Sequence, residues 1–393
     1  NARLGIQSFN SLKYEHLKIV IVCYPTFGGS GVVATELGLY LVKKGYEIHF
    51  ITYKQPVRIQ NLTHGLHFHE VHVPSYDLFK YQPYELALSS KIVDVVKKYK
   101  IDMLHVHYAI PHAYAAYMGK KMLEDEGIQI PMITTLHGTD ITLVGSHPFY
   151  KKAVQFSINH SEYVTAVSNS LKQDTERLFD VTTKIQVVPN FIDVEKFKFN
   201  TVPCEKGQIA PDNELIITHI SNFRPLKRVI DVLKTFKIVN EQLKVKLLMV
   251  GDGPEKERAK RYCKSQQMEN AVLFLGKSNQ IDEILCFSDL FLLPSEQESF
   301  GLAALEAMVH RVPVVCSDVG GLPEVIENGV SGFLCPVGDI NEMACKAIHI
   351  LEDHERHKVF KEQAYESSKK FEMEKVISNY ESLYREAKQT YLG

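Results

Sequence analysis

The stretch Pro294-Ser-Glu-Gln-Glu298-Ser-Phe-Gly-Leu-Ala-Ala-Leu-Glu306 sets two carboxylates eight residues apart around the expected start of a helix. Asp289-Leu-Phe-Leu-Leu-Pro294 before it reads as a buried strand, and Ser299 is expected to cap the helix. The first N–H groups of that helix, on Phe300, Gly301 and Leu302, have no partner within it and would face an anion. Glu298 in the loop can accept hydrogen bonds from sugar hydroxyls, while Glu306 lies about two turns inside an alanine-rich helix and needs a partner there. This is a layout suited to a sugar carried on a nucleotide. A solvated acidic loop followed by an amphipathic helix is the plainer alternative, so the rest of the chain has to decide.

Two further basic and glycine-rich segments carry the same chemistry. Tyr24-Pro-Thr-Phe-Gly28-Gly29-Ser30-Gly31 follows a strand and opens a helix at Val32, so its backbone can approach a phosphate with no Cβ in the way. The string also spells Gly29-x-Gly31-x-x-Ala34, a dinucleotide fingerprint, but the next strand ends Phe50-Ile51-Thr52 with no acid for ribose hydroxyls. A plain tight turn needs one glycine rather than three. In Ser221-Asn-Phe-Arg224-Pro-Leu-Lys227-Arg228 the cations precede a helix, where the macrodipole disfavours them, which argues for a diphosphate ligand over a solvated helix start. Fixed cations stabilise the charge that a departing nucleoside diphosphate gains in the transition state.

Leu136-His137-Gly138-Thr139-Asp140 places His137 at the carboxyl edge of a strand, able to donate to a hydroxyl or carbonyl. His105-Val-His107 puts two imidazoles on one strand face, a spacing that permits metal binding, but no nearby acid or Cys completes a set. The group His64, His67, His69 and His72 is read the same way, as structural, and no metal site is expected. There is no G-x-S-x-G elbow and no P-loop, which weakens hydrolase and phosphotransferase readings.

These groups must be positioned by the surrounding elements. With 393 residues the chain suggests two domains of about 180 residues each. From Lys18, short β-branched runs (19–22, 47–51, 103–106, 132–135, 162–167, 185–189) alternate with amphipathic stretches, a βαβ rhythm. It restarts with strands at 215–220, 245–250, 272–275, 290–293 and 312–315 and helices near 228–243, 254–268, 280–287, 300–309 and 339–352. The fold class is therefore α/β, two doubly wound Rossmann-like domains facing across a cleft, where ligands bind at strand carboxyl ends. The expected divisions are a tail or expression leftover at 1–16, an acceptor-side domain at 17–190, a donor domain at 191–372, and a helix at 373–393 packing back on the first domain. Asn200 to Asp212 reads as a surface linker, with the hinge near 190–213.

The formal charge of −2, from 45 basic and 47 acidic residues, leaves no electrostatic footprint for nucleic acid. No apolar run reaches membrane-spanning length. The seven cysteines are odd in number, lack a C-x-x-C pair and sit largely in apolar runs, so reduced thiols and a cytoplasmic location are expected. A homo-oligomer remains compatible with the sequence.

Gly28-Gly29, His137, Arg224 with Lys227, and Glu298-x7-Glu306 together resemble the retaining GT-B glycosyltransferases of family four, over about residues 17–390. Longer strings, among them Cys23-Tyr-Pro-Thr-Phe-Gly-Gly-Ser-Gly and His105-Val-His-Tyr-Ala-Ile-Pro-His-Ala, resemble the branch that moves N-acetylglucosamine from UDP-GlcNAc to L-malate at the start of bacillithiol synthesis. The resemblance implies Glu298 on the sugar hydroxyls, Glu306 on the uridine ribose, Arg224 and Lys227 on the diphosphate, and His137 on the sugar's outer hydroxyl. Main chain at Phe300, Gly301 and Leu302 would complete the donor site, and no cofactor or divalent metal is implied. Many members carry Arg five residues before the Lys, where this chain has Asn222, so Arg224 would reach the phosphate from another angle. A dicarboxylate acceptor calls for a cation, for which Arg58 is the choice because a guanidinium binds a carboxylate through two parallel bonds, with Ser30, Tyr108 and Thr139 as further acceptor contacts. Rival readings are another acceptor in the same family, a UDP-GlcNAc 2-epimerase of the same architecture, and a noncatalytic nucleotide-sugar sensor.

Overall fold

The computed structural model describes residues 17–392 apart from 27, 57, 58, 60, 61, 76, 78, 198–205, 212 and 279. The first half runs β1 (Lys18–Val22), α1 (Ser30–Lys43), β2 (Glu47–Thr52), β3 (Leu66–Glu70), α2 (Tyr84–Tyr99), β4 (Met103–His107), α3 (Tyr114–Asp125), β5 (Met132–Leu136), α4 (Pro148–Asn159), β6 (Tyr163–Ala166), α5 (Asn169–Leu178) and β7 (Ile185–Val187). After α6 (Val194–Phe197), the second half runs β8 (Leu215–Ser221), α7 (Val229–Asn240), β9 (Val245–Gly251), α8 (Lys256–Ser265), β10 (Val272–Gly276), α9 (Ile281–Cys286), β11 (Leu290–Leu293), α10 (Leu302–Val309), β12 (Val314–Ser317), α11 (Leu322–Val325) and β13 (Gly332–Cys335). It closes with α12 (Ile340–Leu351), α13 (His354–Ser368) and α14 (Met373–Leu392).

Seven strands form one sheet in the order β3-β2-β1-β4-β5-β6-β7 and six form another in the order β10-β9-β8-β11-β12-β13. Neighbours pair in parallel throughout both sheets. In each, strand order reverses beside the first strand of the unit, between β1 and β4 and again between β8 and β11. Loops at these switch points diverge and leave a crevice. Helices cover both faces, which is why central strands such as β4 are buried along their whole length, histidines included.

Two strands escape the hydrophobic rhythm. Leu66-His-Phe-His-Glu70 alternates apolar and imidazole side chains at the sheet edge, and its histidines mask the strand signal. Gly332 opens β13 because a Cβ there would overlap the Val314 carbonyl; a residue that reads as a breaker permits the close approach. The last helix returns to the first sheet. Met373, Val376, Ile377, Tyr380 and Tyr384 of α14 share a buried cluster with Ile19, Ile21 and Leu37, and Tyr384 Oη lies 2.7 Å from His105 Nδ1.

The cysteine expectation needs one correction. Cys23, Cys263, Cys316, Cys335 and Cys345 are free, but Cys286 at the end of α9 is disulfide-bonded. Spacing along the chain does not reveal which sulfurs meet in space. Among the described residues no helix is long and apolar enough to cross a membrane.

Candidate active site

The acceptor-side wall is assembled from the turns after β1, β4 and β5. Helix α1 starts at Ser30, two residues earlier than the pattern suggested, with Gly29 before it at φ +61° and no side-chain cap. Gly28 and Gly29 look onto open space, so a ligand can meet their backbone, whereas a Cβ on Gly31 would strike Thr26 and the Tyr24 carbonyl. Ser30 Oγ lies 2.7 Å from Tyr108 Oη and ties the first turn to the second. Thr139 opens a single turn, Thr139–Leu143, directly after His137 and Gly138. Arg58 lies outside the described residues.

His137 is held by two groups, Asp140, to which the sequence reading gave no role, and His107, which it weighed only as half of a metal-binding pair. Asp140 is buried, and its carboxylate accepts from the backbone N–H groups of His137 (3.2 Å), Gly138 (2.9 Å) and Ala109 (2.8 Å), locking the β5 turn to the β4 turn. Burial pushes its pKa up to about 6 against the pull of those N–H donors. An Asp three residues after a turn histidine was the available signal.

The second group is His107, whose Nδ1 lies 2.8 Å from His137 Nε2. His107 Nε2 is buried without a partner. An orphaned N–H costs more than an orphaned lone pair, so the proton belongs on Nδ1, which then donates to His137 Nε2. His137 must therefore carry its own proton on Nδ1, the nitrogen left to donate elsewhere. His112 Nδ1 donates to the His107 carbonyl at 2.7 Å and supports the same turn. Burial drives the pKa of His137 down to about 3 and that of His112 to about 4, so both are neutral imidazoles at neutral pH.

Across the cleft, the turns after β8 and β11 bring charge together. Lys227 Nζ forms an ion pair with Glu298 Oε1, and Ser295 Oγ donates to the same oxygen at 2.9 Å. Arg224 is exposed, ahead of the short turn Pro225–Lys227; burial pushes the Tyr108 phenol up, and the Arg224 charge across the cleft only partly opposes that. Lys227 and Arg224 thus precede α7 rather than lie in it. The Glu298 carbonyl accepts from Gly321 N at 3.0 Å, and a Cβ on Gly320, at φ +55°, would overlap that carbonyl. Gly320-Gly321 therefore fixes the Glu298 loop, a role the sequence reading passed over although the pair follows a clear strand.

Ser299 does not cap the following helix. The N-cap of α10 is Gly301, at φ +98°, with no side-chain cap. A Cβ on Gly301 would overlap Leu322, so the chain turns in a conformation only glycine takes easily. The N–H groups that open the helix begin at Leu302, and the Phe300 ring is core, edge-on to Phe371. Ser299 is used between the walls instead: its carbonyl accepts from Ser168 Oγ at 2.6 Å, and its side chain fills the space where Gly138 lacks a Cβ. The residues next to His137 and Glu298 thus touch one another across the cleft. Glu306 lines a narrow cavity of about 40 Å³ with Val32, Val33 and Leu302, between α1 and α10. Glu324 bonds the N–H groups of Asn169 and Ser170, both at 2.9 Å, fixing the start of α5 to the second unit.

Residues 27–196 match the model for "Glycosyltransferase Family 4" and residues 205–367 the model for "Glycosyl transferases group 1". N-acetyl-alpha-D-glucosaminyl L-malate synthase of Bacillus anthracis is 48% identical over 370 residues, covering 94% of this chain and 96% of its own. This chain is a family 4 glycosyltransferase. The glycosyltransferase also resembles the phosphatidylinositol N-acetylglucosaminyltransferase GPI3 subunit of Saccharomyces cerevisiae, at 25% identity over 354 residues, 85% of this chain and 75% of that one. Among solved structures, Anabaena HepE in complex with UDP and glucose superposes with a TM-score of 0.77 at 20% identity, covering 94% of this chain and 100% of HepE. The fold of the glycosyltransferase is GT-B, two parallel-sheet units with the cleft between their switch points.

Proposed function

We propose that the enzyme transfers N-acetylglucosamine from UDP-GlcNAc to the hydroxyl of L-malate with retention at the anomeric carbon, the first step of bacillithiol synthesis. What supports the reading is the Bacillus anthracis relative, whose name states that product and whose identity extends over both walls of the cleft.

In this reading Lys227 and Arg224 hold the diphosphate and stabilise the charge it gains on leaving. Glu298, oriented by Lys227 and Ser295, accepts from sugar hydroxyls. His137 donates from Nδ1 to the sugar's outer hydroxyl, Glu306 binds the uridine ribose, and main chain from Gly28-Gly29 and from Phe300 to Leu302 lies against the donor. Ser30, Tyr108 and Thr139 face the acceptor, with Arg58 as its carboxylate partner. No protein nucleophile is assigned. The malate hydroxyl attacks the anomeric carbon from the face the diphosphate leaves, the carbon–oxygen bond to UDP breaks, and a phosphate oxygen takes the hydroxyl proton. Orientation and exclusion of water supply the rest of the acceleration.

Protein cations take the role a metal would have, so we propose that turnover needs no divalent ion. Activity lost in EDTA and restored by magnesium would overturn this. A cytoplasmic location suits the buried free thiols Cys23, Cys263, Cys316 and Cys335, of which burial pushes Cys23 and Cys335 up to about 12, although the disulfide-bonded Cys286 does not add to that reading. The deciding experiment incubates the protein with UDP-GlcNAc, with and without L-malate, and follows UDP release and product mass. Malate-dependent UDP with a GlcNAc-malate adduct is expected. Donor turnover without acceptor would point to an epimerase, and binding without UDP release to a sensor.

A further inference from the structure

Away from the cleft, at the amino end of the first sheet, three metal-binding side chains from two strands converge. Glu47 and His49 lie two apart on β2 and so share a face, and His67 is the register partner of His49 on β3. Glu47 Oε1 is 3.1 Å from His49 Nε2 and 3.5 Å from His67 Nε2, and all three donor atoms lie within 4.8 Å of one another. A tetrahedral zinc ion with ligands at about 2.0–2.1 Å separates its donors by about 3.4 Å, a value these two distances bracket.

We propose that Glu47 Oε1, His49 Nε2 and His67 Nε2 form a zinc site that ties the edge strand β3 to β2. Two imidazoles and a carboxylate are a standard protein donor set for zinc, with the fourth position left to water. The His49 and His67 rings stack, with centroids 4.3 Å apart and planes 18° apart, so the partly exposed His67 ring turns to bring both Nε2 lone pairs onto one ion, while the groups behind His49 already suit the site. His49 Nδ1 lies 2.9 Å from His69 Nε2, so with Nε2 on the metal, Nδ1–H donates to His69 and the ring orientation is fixed. The side chains of Glu47 and His67 are 28% and 38% exposed, which leaves an entry path from solvent. Lys18 Nζ sits 3.2 Å from the other oxygen, Glu47 Oε2, and so restricts the carboxylate to one-oxygen coordination.

Counting histidines along the chain pointed to His64, His67, His69 and His72 as a group without an acid. The register of a parallel strand pair selects a different set, with the carboxylate and one imidazole from the neighbouring strand.

Zinc chloride titrated calorimetrically into the full chain, after chelator treatment and without substrates, should give one site per chain. His67→Ala and Glu47→Gln should each weaken it at least about tenfold, and His69→Ala about tenfold through the supporting bond. His67→Cys, which keeps a zinc ligand, should retain binding, and His72→Ala, at an exposed position, should not change it. Cobalt in place of zinc should show the visible absorption of a tetrahedral site in the unaltered chain and lose it in Glu47→Gln. No binding up to about millimolar zinc, or equal affinity in the His67 and Glu47 variants with native circular dichroism, overturns the proposal.

Discussion

The two walls of the cleft share a strand plan yet hold their polar groups by opposite means. On the second unit, Lys227 and Glu298 are charged, partly exposed and paired with each other, and two glycines fix the carboxylate from behind. On the first, His105, His107, His112 and Asp140 are buried, and His137 lies at their edge. The imidazoles there are neutral. Long-range charge tolerates side chains that reach into solvent, whereas a neutral donor must be aimed by a fixed tautomer, which requires buried partners.

Acid should separate the walls most strongly. His49, His105, His112 and His219 are fully buried with pKa values down at about 3 to 4, and His107 is held well below its ordinary value. In the unfolded chain each titrates near 6.5, so the unfolded state binds more protons below that pH. Stability is therefore lost as pH falls from about 6.5 towards 4, by up to about 1.4 kcal/mol per pH unit for each group. Asp140, raised to about 6, works the other way, its contribution being lost as pH rises from about 4 to 6, and offsets one such group. Four of the five histidines belong to the first unit and only His219 to the second. Hydrogen exchange at pH 5 should show the first sheet opening before the second; simultaneous opening would remove the contrast.

Within the donor wall, Glu298→Gln should lower kcat about a thousandfold while UDP affinity stays within about threefold. Lys227→Ala, by contrast, should weaken UDP itself. Equal, small effects from both would reduce the motif to structure. On the acceptor wall, His107→Ala should cost about 10- to 100-fold in kcat by freeing the His137 ring, with little change in the KM for UDP-GlcNAc. His107→Gln, which keeps a side-chain donor, should recover part of the loss, and an unaltered kcat in both variants would remove His107 from the aiming of His137.

Gly320→Ala places a methyl group into the Glu298 carbonyl and should destabilise the second unit by about 1–3 kcal/mol, read as a lower denaturation midpoint. Unchanged stability would mean that the loop yields freely. The smallest effect is expected from Glu324→Gln, which weakens the carboxylate at the start of α5 and should lower Tm by about 1–2 °C.

Much of the frame was legible because parallel strands buried on both faces read as β-branched runs. Hence the strands that carry Gly28, His137, Lys227 and Glu298 fall where the pattern puts them, to within a residue or two. The misses have local causes. β3 carries histidines where an apolar alternation was sought, and β13 begins on a glycine that the Val314 carbonyl requires. The start of α10 moved from Ser299 to Gly301 because cap residues compete and the chain turns there at φ +98°, a conformation that favours glycine, with Leu322, distant in sequence, packed against it.

By itself the sequence determined the two α/β units, their switch-point loops and the kinds of side chain those loops carry, since each follows from local periodicity and turn chemistry. Only the tertiary structure decided which groups meet: the His107 bond that sets the proton on His137, the carboxylate of Asp140 shared by two turns, Gly320 beneath Glu298, and Ser299 against Gly138. Those contacts join segments far apart in the chain, and the free energy that selects them comes from burial and hydrogen-bond satisfaction, quantities that exist only once the chain has closed on itself.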